Sequence, residues 1–158
     1  MFFTLVANGH HTSLSLGARF QYKESELYAF PSWNLDYGYR FFIGKSHWFL
    51  DPTFNGVCFP LTMNIECRGG YQFSHKIAVY GTVGVGVFTE SIMKIDETLK
   101  PLFPKVGVGL SWGFHKYLSL IGSIDYFSGF FKNGSEVRHN VSGLIGLQLN
   151  SEGFYKND

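Results

Sequence analysis

Thr62–Thr89 narrows most what this chain can fold into. Its first arm runs Met63-Asn64-Ile65-Glu66-Cys67-Arg68-Gly69-Gly70-Tyr71-Gln72-Phe73. Odd positions carry Met, Ile, Cys, Gly, Tyr and Phe, and even positions Asn, Glu, Arg, Gly and Gln. After Ser74-His75-Lys76 the second arm sets Ile77, Val79, Val83, Val85 and Val87 on one face. Ala78, Tyr80, Thr82, Gly84, Gly86 and Phe88 take the other. Alternation of period two, sustained for about eleven residues, is a β-strand with two unlike faces. One face is polar, with Glu66 and Arg68 among glycines, and the other is almost pure hydrocarbon. That is the sidedness of a membrane-barrel strand, with lipid outside and a polar lumen inside.

Six other segments repeat the pattern. Residues 12–22 alternate Leu14, Leu16, Ala18, Phe20 and Tyr22 with Ser13, Ser15, Gly17, Arg19 and Gln21. Residues 33–43 set Trp33, Leu35, Tyr37, Tyr39 and Phe41 against Asn34, Asp36, Gly38, Arg40 and Phe42. Residues 47–57 set Trp48, Leu50, Pro52 and Phe54 against Asp51, Thr53 and Asn55; Pro52 costs that strand a ladder N–H. Further strands are expected at 104–114, 117–127 and 138–150. The connections are read as a polar loop at 23–32, a tight turn at Gly44-Lys45-Ser46, a turn near Pro60 and a long irregular segment at 89–103. A turn at His115-Lys116 and a loop at 128–137 complete them. Ser91–Lys100 is read as a short helical turn. Residues 1–10 do not alternate and are read as an N-terminal segment, with Met1–Ala7 as the tail of a cleaved leader or as ordinary apolar residues. Residues 151–158 are a polar tail.

These readings make residues 1–158 a single all-β domain: an eight-stranded antiparallel up-and-down transmembrane β-barrel with a polar, charge-paired interior. An even strand number puts both termini and the three short turns at one end, and outer-membrane barrels keep short turns on the periplasmic side. Two aromatic girdles follow. Tyr39, Phe41, Trp48, Tyr71, Phe73, Trp112 and Phe114 lie near the turns, and Phe20, Tyr22, Trp33, Phe54 and Tyr126 near the loops. Composition agrees: aromatics are 18%, with 19 Gly and only 5 Pro. A net charge of +1 gives no electrostatic case for nucleic acid. No run of about 18 apolar residues marks a transmembrane helix, and a barrel needs none.

The inward charges are Arg19, Asp36, Arg40, Asp51, Glu66, Arg68, Lys105 and Asp125. Folding the hairpins on these boundaries sets Arg19 against Asp36, Arg40 against Asp51, Asp51 against Arg68 with Glu66 beside it, and Lys105 against Asp125. An eight-stranded barrel is just wide enough for side chains to fill, and buried charges must be paired. The expectation is a closed polar plug, with a gate or narrow conduit as the alternative. A soluble lipocalin-like barrel would reverse the faces. It would crowd five bulky apolar residues from nearly every strand into one lumen and leave a glycine-rich exterior.

The turn regions carry a family resemblance. Gly38-Tyr39-Arg40-Phe41…His47-Trp48-Phe49, Gly70-Tyr71-Gln72-Phe73-Ser74-His75-Lys76-Ile77-Ala78 and Trp112-Gly113-Phe114-His115-Lys116-Tyr117-Leu118-Ser119-Leu120 resemble the Gly-Tyr-x-Phe, polar turn, aliphatic pattern of the OmpA/OmpX-like outer-membrane β-barrel superfamily. The resemblance implies a monomer in the bacterial outer membrane, surrounded by lipid and lipopolysaccharide. It also implies a structural or surface-interaction role through the loops, with a host protein or surface ligand as partner. One departure is the end of the last strand, Leu149-Asn150, where such barrels carry an aromatic residue.

Chemistry has few candidates. Ile124-Asp125-Tyr126-Phe127-Ser128-Gly129 is similar to the segment where lipid A deacylases carry His-x-Ser, but Asp125 and Phe127 stand at the His and Ser positions, so nucleophile and base are missing. His139 and Ser142 are three apart and fall on opposite faces. His47, His75 and His115 sit at turns without a set of three metal ligands. Cys58 and Cys67 would lie on the order of 15 Å apart along the hairpin, too far for a disulfide. No catalytic, cofactor-binding or metal residue is expected. The alternatives kept are a lipid A-modifying enzyme and a small OmpW-like passive channel.

Overall fold

The computed structural model describes residues 5–23, 26–58, 62–74, 76–88, 102–130 and 137–151. Eight strands follow in order: β1 (Leu5–Lys23), β2 (Glu26–Ile43), β3 (Trp48–Cys58), β4 (Thr62–Gln72), β5 (Ile77–Phe88), β6 (Leu102–His115), β7 (Leu118–Phe130) and β8 (Val137–Asn150). Each pairs antiparallel with the next, and β1 pairs with β8, so the sheet closes on itself. Closure leaves no edge along the ring and satisfies the backbone strand to strand. Among the described residues no element is helical. The short helical turn expected at 91–100 lies outside them.

The alternation read from the sequence sets the two faces. In β4 buried and exposed residues strictly alternate through Met63-Asn64-Ile65-Glu66-Cys67-Arg68. In β5 Ile77, Val79, Val83 and Val85 face out while Ala78, Tyr80, Thr82 and Phe88 are buried. Ile65 and Ile145 are more than 65% exposed, whereas Arg19, Asp36 and Asp51 are at most 2% exposed. The lipocalin-like reading, which needs the opposite sidedness, is thereby overturned. Cys67 is a free thiol on the outer face, opposite Pro52.

Two boundaries differ strongly from the expectation, and two slightly: β6 begins at Leu102, inside the segment read as irregular, and β7 runs on to Phe130, inside the segment read as a loop. The first strand begins at Leu5 instead of residue 12. A bulge between Ala7 and Gly9 breaks the period of two there, which is why the segment looks irregular in sequence. Gly9 has φ 113°, a backbone conformation that side-chain-bearing residues resist. The larger change is at 23–32, read as a loop. It is strand: β1 and β2 stay in register as far as Lys23 opposite Glu26. The turn therefore sits closer to β1 than the loop reading assumed, and every pair across this hairpin is displaced. The tight turn at Gly44 is as expected, with φ 60° and Ser46 N–H donating to Ile43 O at 3.1 Å.

The lumen is filled in three layers. At the turn end Phe42, Phe49, Ala78 and Tyr80 pack together. At the other end Phe88, Phe103 and Phe127 form a second cluster, with ring centroids 4.4 to 6.2 Å apart. The charged side chains lie between. Inward glycines make the room: a Cβ on Gly109 would fall 2.3 Å from Tyr80 Cζ, and one on Gly38 would fall 2.6 Å from both His11 Nε2 and Thr53 Oγ1. Gly109→Val should therefore destabilise the barrel by about 1–3 kcal/mol through overpacking. Tyr80→Ala in the same chain should make the double loss smaller than the sum of the two single losses, as urea-unfolding midpoints in lipid vesicles will report.

Candidate functional site

The polar layer is the one part of the barrel with concentrated chemistry. It forms two clusters. In the first, Asp36 on β2 accepts four hydrogen bonds: from Ser13 Oγ at 2.9 Å, Asn34 Nδ2 at 2.8 Å, Asn55 Nδ2 at 2.5 Å and Arg68 Nη2 at 2.7 Å. Arg68 on β4 also donates to Glu66 Oε1 from Nε at 3.1 Å and from Nη2 at 2.7 Å. Lys105 on β6 continues the chain, 2.8 Å from Glu66 Oε2 and 3.6 Å from Asp125 Oδ2 on β7. Ser123 Oγ closes it by donating to Asp125 at 3.2 Å. Asn64 Nδ2 donates to Asn55 Oδ1 at 2.6 Å and ties β4 to β3.

The second cluster is centred on Asp51 of β3. Arg40 Nε and Nη2 donate to its Oδ2 at 3.3 and 3.1 Å, and Thr53 Oγ1 donates to Oδ1 at 2.9 Å. His11 Nε2 lies 2.8 Å from the same Oδ1. The guanidiniums also rest on aromatic faces, Arg40 at 4.2 Å from the Phe49 centroid and Arg68 at 5.4 Å from that of Tyr80. Such contacts let a cation sit beside rings that wall off water.

All eight charges expected to point inward are buried, but the partners differ in two places. Arg19 does not meet Asp36. With 23–32 folded as strand, Arg19 falls opposite Phe30 and Asp36 opposite Ser13. Arg19 stands 4.7 Å over the Phe127 ring instead. Arg68 is the register partner of Asp51, yet its guanidinium reaches past that neighbour to Asp36 and Glu66. Arg40 with Asp51 and Lys105 with Asp125 lie within ion-pair distance.

Two inward groups were not expected. His11 lay in the stretch read as an N-terminal segment, and extending the odd phase of Ser13 and Ser15 back one step finds it. Arg138 of β8 is 8% exposed, and the even phase of Asn140 and Ser142 would have placed it inward. The aromatic layers were legible in the same way, since Phe49, Phe103 and Phe127 share the phase of Asp51, Lys105 and Asp125.

The arrangement leaves little space. Beside Arg19, Asn64, Lys105 and Asp125 there is a cavity of about 10 Å³, enough for roughly one water molecule. Among the described residues no group of three His, Cys, Asp or Glu side chains is placed to hold a metal ion. His139 is exposed on the outer face, where the Tyr126 hydroxyl lies 2.7 Å from its Nδ1, while Ser142 is buried in the lumen. Asp125 and Phe127 also point inward.

No family model matches the chain, and no curated protein matches it. Solved structures do. The chain superposes on Neisserial surface protein A with a TM-score of 0.61 at 10% identity, over 92% of this chain and 99% of that one. It superposes on Ail, the attachment invasion locus protein of Yersinia pestis, with a TM-score of 0.54 at 13% identity, over 90% and 99%. Ail in complex with the heparin analogue sucrose octasulfate gives 0.52 at 13% identity over the same shares. At these identities the likeness shows the fold: the closed eight-stranded barrel of small outer-membrane proteins.

Proposed function

We propose that this chain is a non-enzymatic barrel of the bacterial outer membrane, related to the OmpA/OmpX-like superfamily, whose role is structural or surface contact at its loop end. The observation that carries the reading is the reversed sidedness. Leu16, Ile65, Val83, Val108, Ile124 and Ile145 are each at least 60% exposed, over an interior of paired charges. A soluble monomer rarely exposes so continuous an apolar surface, whereas lipid is its natural solvent. Trp48 packs on Tyr71 at 5.0 Å and Tyr71 on Phe73 at 5.1 Å near the short turns, as an interfacial girdle would. Short turns and the strand ends at residues 5 and 150 mark the periplasmic side, so the ends of β1 and β2 near Lys23 and Glu26 project outward.

The plug argues against an OmpW-like channel as the first reading, and His139 and Ser142 on opposite faces argue against a deacylase-like enzyme. Ail, an attachment invasion locus protein solved with a heparin analogue, offers the analogy for surface contact with a host molecule. Lipid and lipopolysaccharide would surround the belt of a monomer.

Heat-modifiable migration after detergent extraction should report a closed barrel, and a protein that stays soluble without detergent would sink the membrane reading. Val108→Lys should cost about 2–4 kcal/mol in vesicle unfolding, the known penalty for a lipid-facing lysine near mid-bilayer. Arg68→Ala leaves Asp36 with neutral donors alone and Glu66 with Lys105 alone, and should cost about 3–5 kcal/mol. In planar bilayers Arg40→Ala and Arg68→Ala should raise a low basal conductance; unchanged traces would count against the plug as the barrier.

A further inference from the structure

We propose that the turn end of the barrel carries a basic collar that docks on the anionic phospholipid headgroups of the leaflet it faces. The proposal rests on the membrane reading of the chain and names the lipid partner of one rim. The three short turns share a composition. Each sets a lysine one or two positions from a histidine: Lys45 with His47, Lys76 with His75 and Lys116 with His115. No acidic residue occurs in 43–48, 73–77 or 114–118. Lys45, Lys76 and Lys116 are exposed, as are His47 and His115. The connections toward the other end have the opposite sign. Segments 23–32, 89–103 and 128–137 hold six carboxylates against four lysines, so an anionic surface suits the turn end.

The backbone holds the collar in place. His47 O accepts from Gln72 N–H at 3.0 Å, Lys76 O from Gly113 N–H at 2.7 Å and Tyr117 O from Asn150 N–H at 3.0 Å. Each turn is thereby tied to the next hairpin, and Ser151 N–H, donating to His10 O at 3.0 Å, carries the ring back to β1. The lysines recur every second strand, about 12 Å apart for a strand spacing of ~4.8 Å and a tilt of ~40°. Aromatic rings set their depth. His47 lies 5.9 Å from the Tyr71 ring and His115 6.1 Å from that of Tyr117, and Lys116 Nζ stands 5.1 Å over the Tyr117 ring. Outward aromatic belts sit at headgroup level. Lysine lays its stem along apolar surface and keeps its ammonium in the polar layer, so cations packed among these rings meet lipid phosphate.

The competing occupant is a segment of the chain itself. Residues 151–158 follow β8 at the same rim, with Glu152 and Asp158 against Lys156. Their net side-chain charge is one negative against three lysines, whereas a phospholipid surface offers an anion to each.

The test uses the full chain folded into phosphatidylcholine vesicles, with spin-labelled phosphatidylglycerol or spin-labelled phosphatidylcholine as the probe. Electron spin resonance should show phosphatidylglycerol enriched at the protein by about fivefold. Replacing Lys45, Lys76 and Lys116 together by glutamine should bring that ratio near one, and replacing them by arginine should keep it. Lys23→Gln with Lys132→Gln should leave it unchanged, and molar salt should screen it. The collar is overturned by a wild-type ratio near one, by a ratio that survives the three glutamines, or by an equal loss from the two loop-end variants. Selectivity that appears only after Glu152→Gln and Asp158→Asn overturns it in favour of residues 151–158 as the occupant. Loss of selectivity to millimolar glycerol phosphate at constant ionic strength overturns it in favour of a site for free phosphate. A heat-modifiable folded band without lipid selectivity overturns the collar and leaves the membrane reading. A protein that stays in solution beside the vesicles overturns both.

Discussion

The bridge made by Arg68 between Asp36 and Glu66 is the interaction on which the rest of the barrel depends. One guanidinium, on β4, holds a carboxylate of its own strand and one from β2, both at 2.7 Å. Taking an ion out of water costs several kcal/mol even after relaxation, so four buried acids are affordable only if each is met by donors. Asp36 has four and Asp51 has three side chains around it. Lys105, shared between Glu66 and Asp125, carries the same logic across to β6 and β7. The network therefore stitches β2, β4, β6 and β7 across the lumen, where the hydrogen-bonded ladder joins only neighbours.

The aromatic layers make that network strong. Phe42 and Phe49 at one end and Phe88, Phe103 and Phe127 at the other keep bulk water from the charges, and Coulomb attraction rises as water is excluded. Large rings and long cations share a narrow tube only because the facing positions are glycine. Gly109 clears Tyr80, and Gly38 clears the Asp51 cluster. Glycine is a poor strand residue, and its cost here is offset by the side chains it admits.

Much of the fold was legible because a period of two in a closed ring has one consequence: each residue's phase decides whether it meets lumen or exterior. Phase alone put Arg40, Asp51, Glu66, Arg68, Lys105 and Asp125 inside. What it could not give was which charge meets which. Pairing depends on register, and register across β1 and β2 depends on where the turn lies. Reading 23–32 as a loop moved that turn and matched Arg19 to Asp36. The reach of long side chains was also hidden, since Arg68 bypasses its register partner Asp51 for Asp36. His11 was lost to a different cause, the bulge at Ala7/Gly9 that makes the first residues look aperiodic.

The misread loop turns on proline, and the structure gives a sharper rule for it. In an antiparallel strand successive residues direct their hydrogen bonds to opposite neighbours, so one proline disables one ladder and spares the other. Pro31 is paired with Ala18 of β1 and lies where β3 has ended. Pro52 is paired with Cys67 of β4, while the β2–β3 register skips from Gly38/Thr53 to Phe41/Leu50. Pro104 is paired with Val85 of β5, and the ladder to β7 begins one residue later, at Lys105. Each of these three prolines sits in a strand with a ladder on one side and a gap on the other. A proline inside an alternating run is thus better read as the end of one pairing than as the end of the strand, and at Pro31 that distinction decides whether the chain has a polar loop or a projecting hairpin.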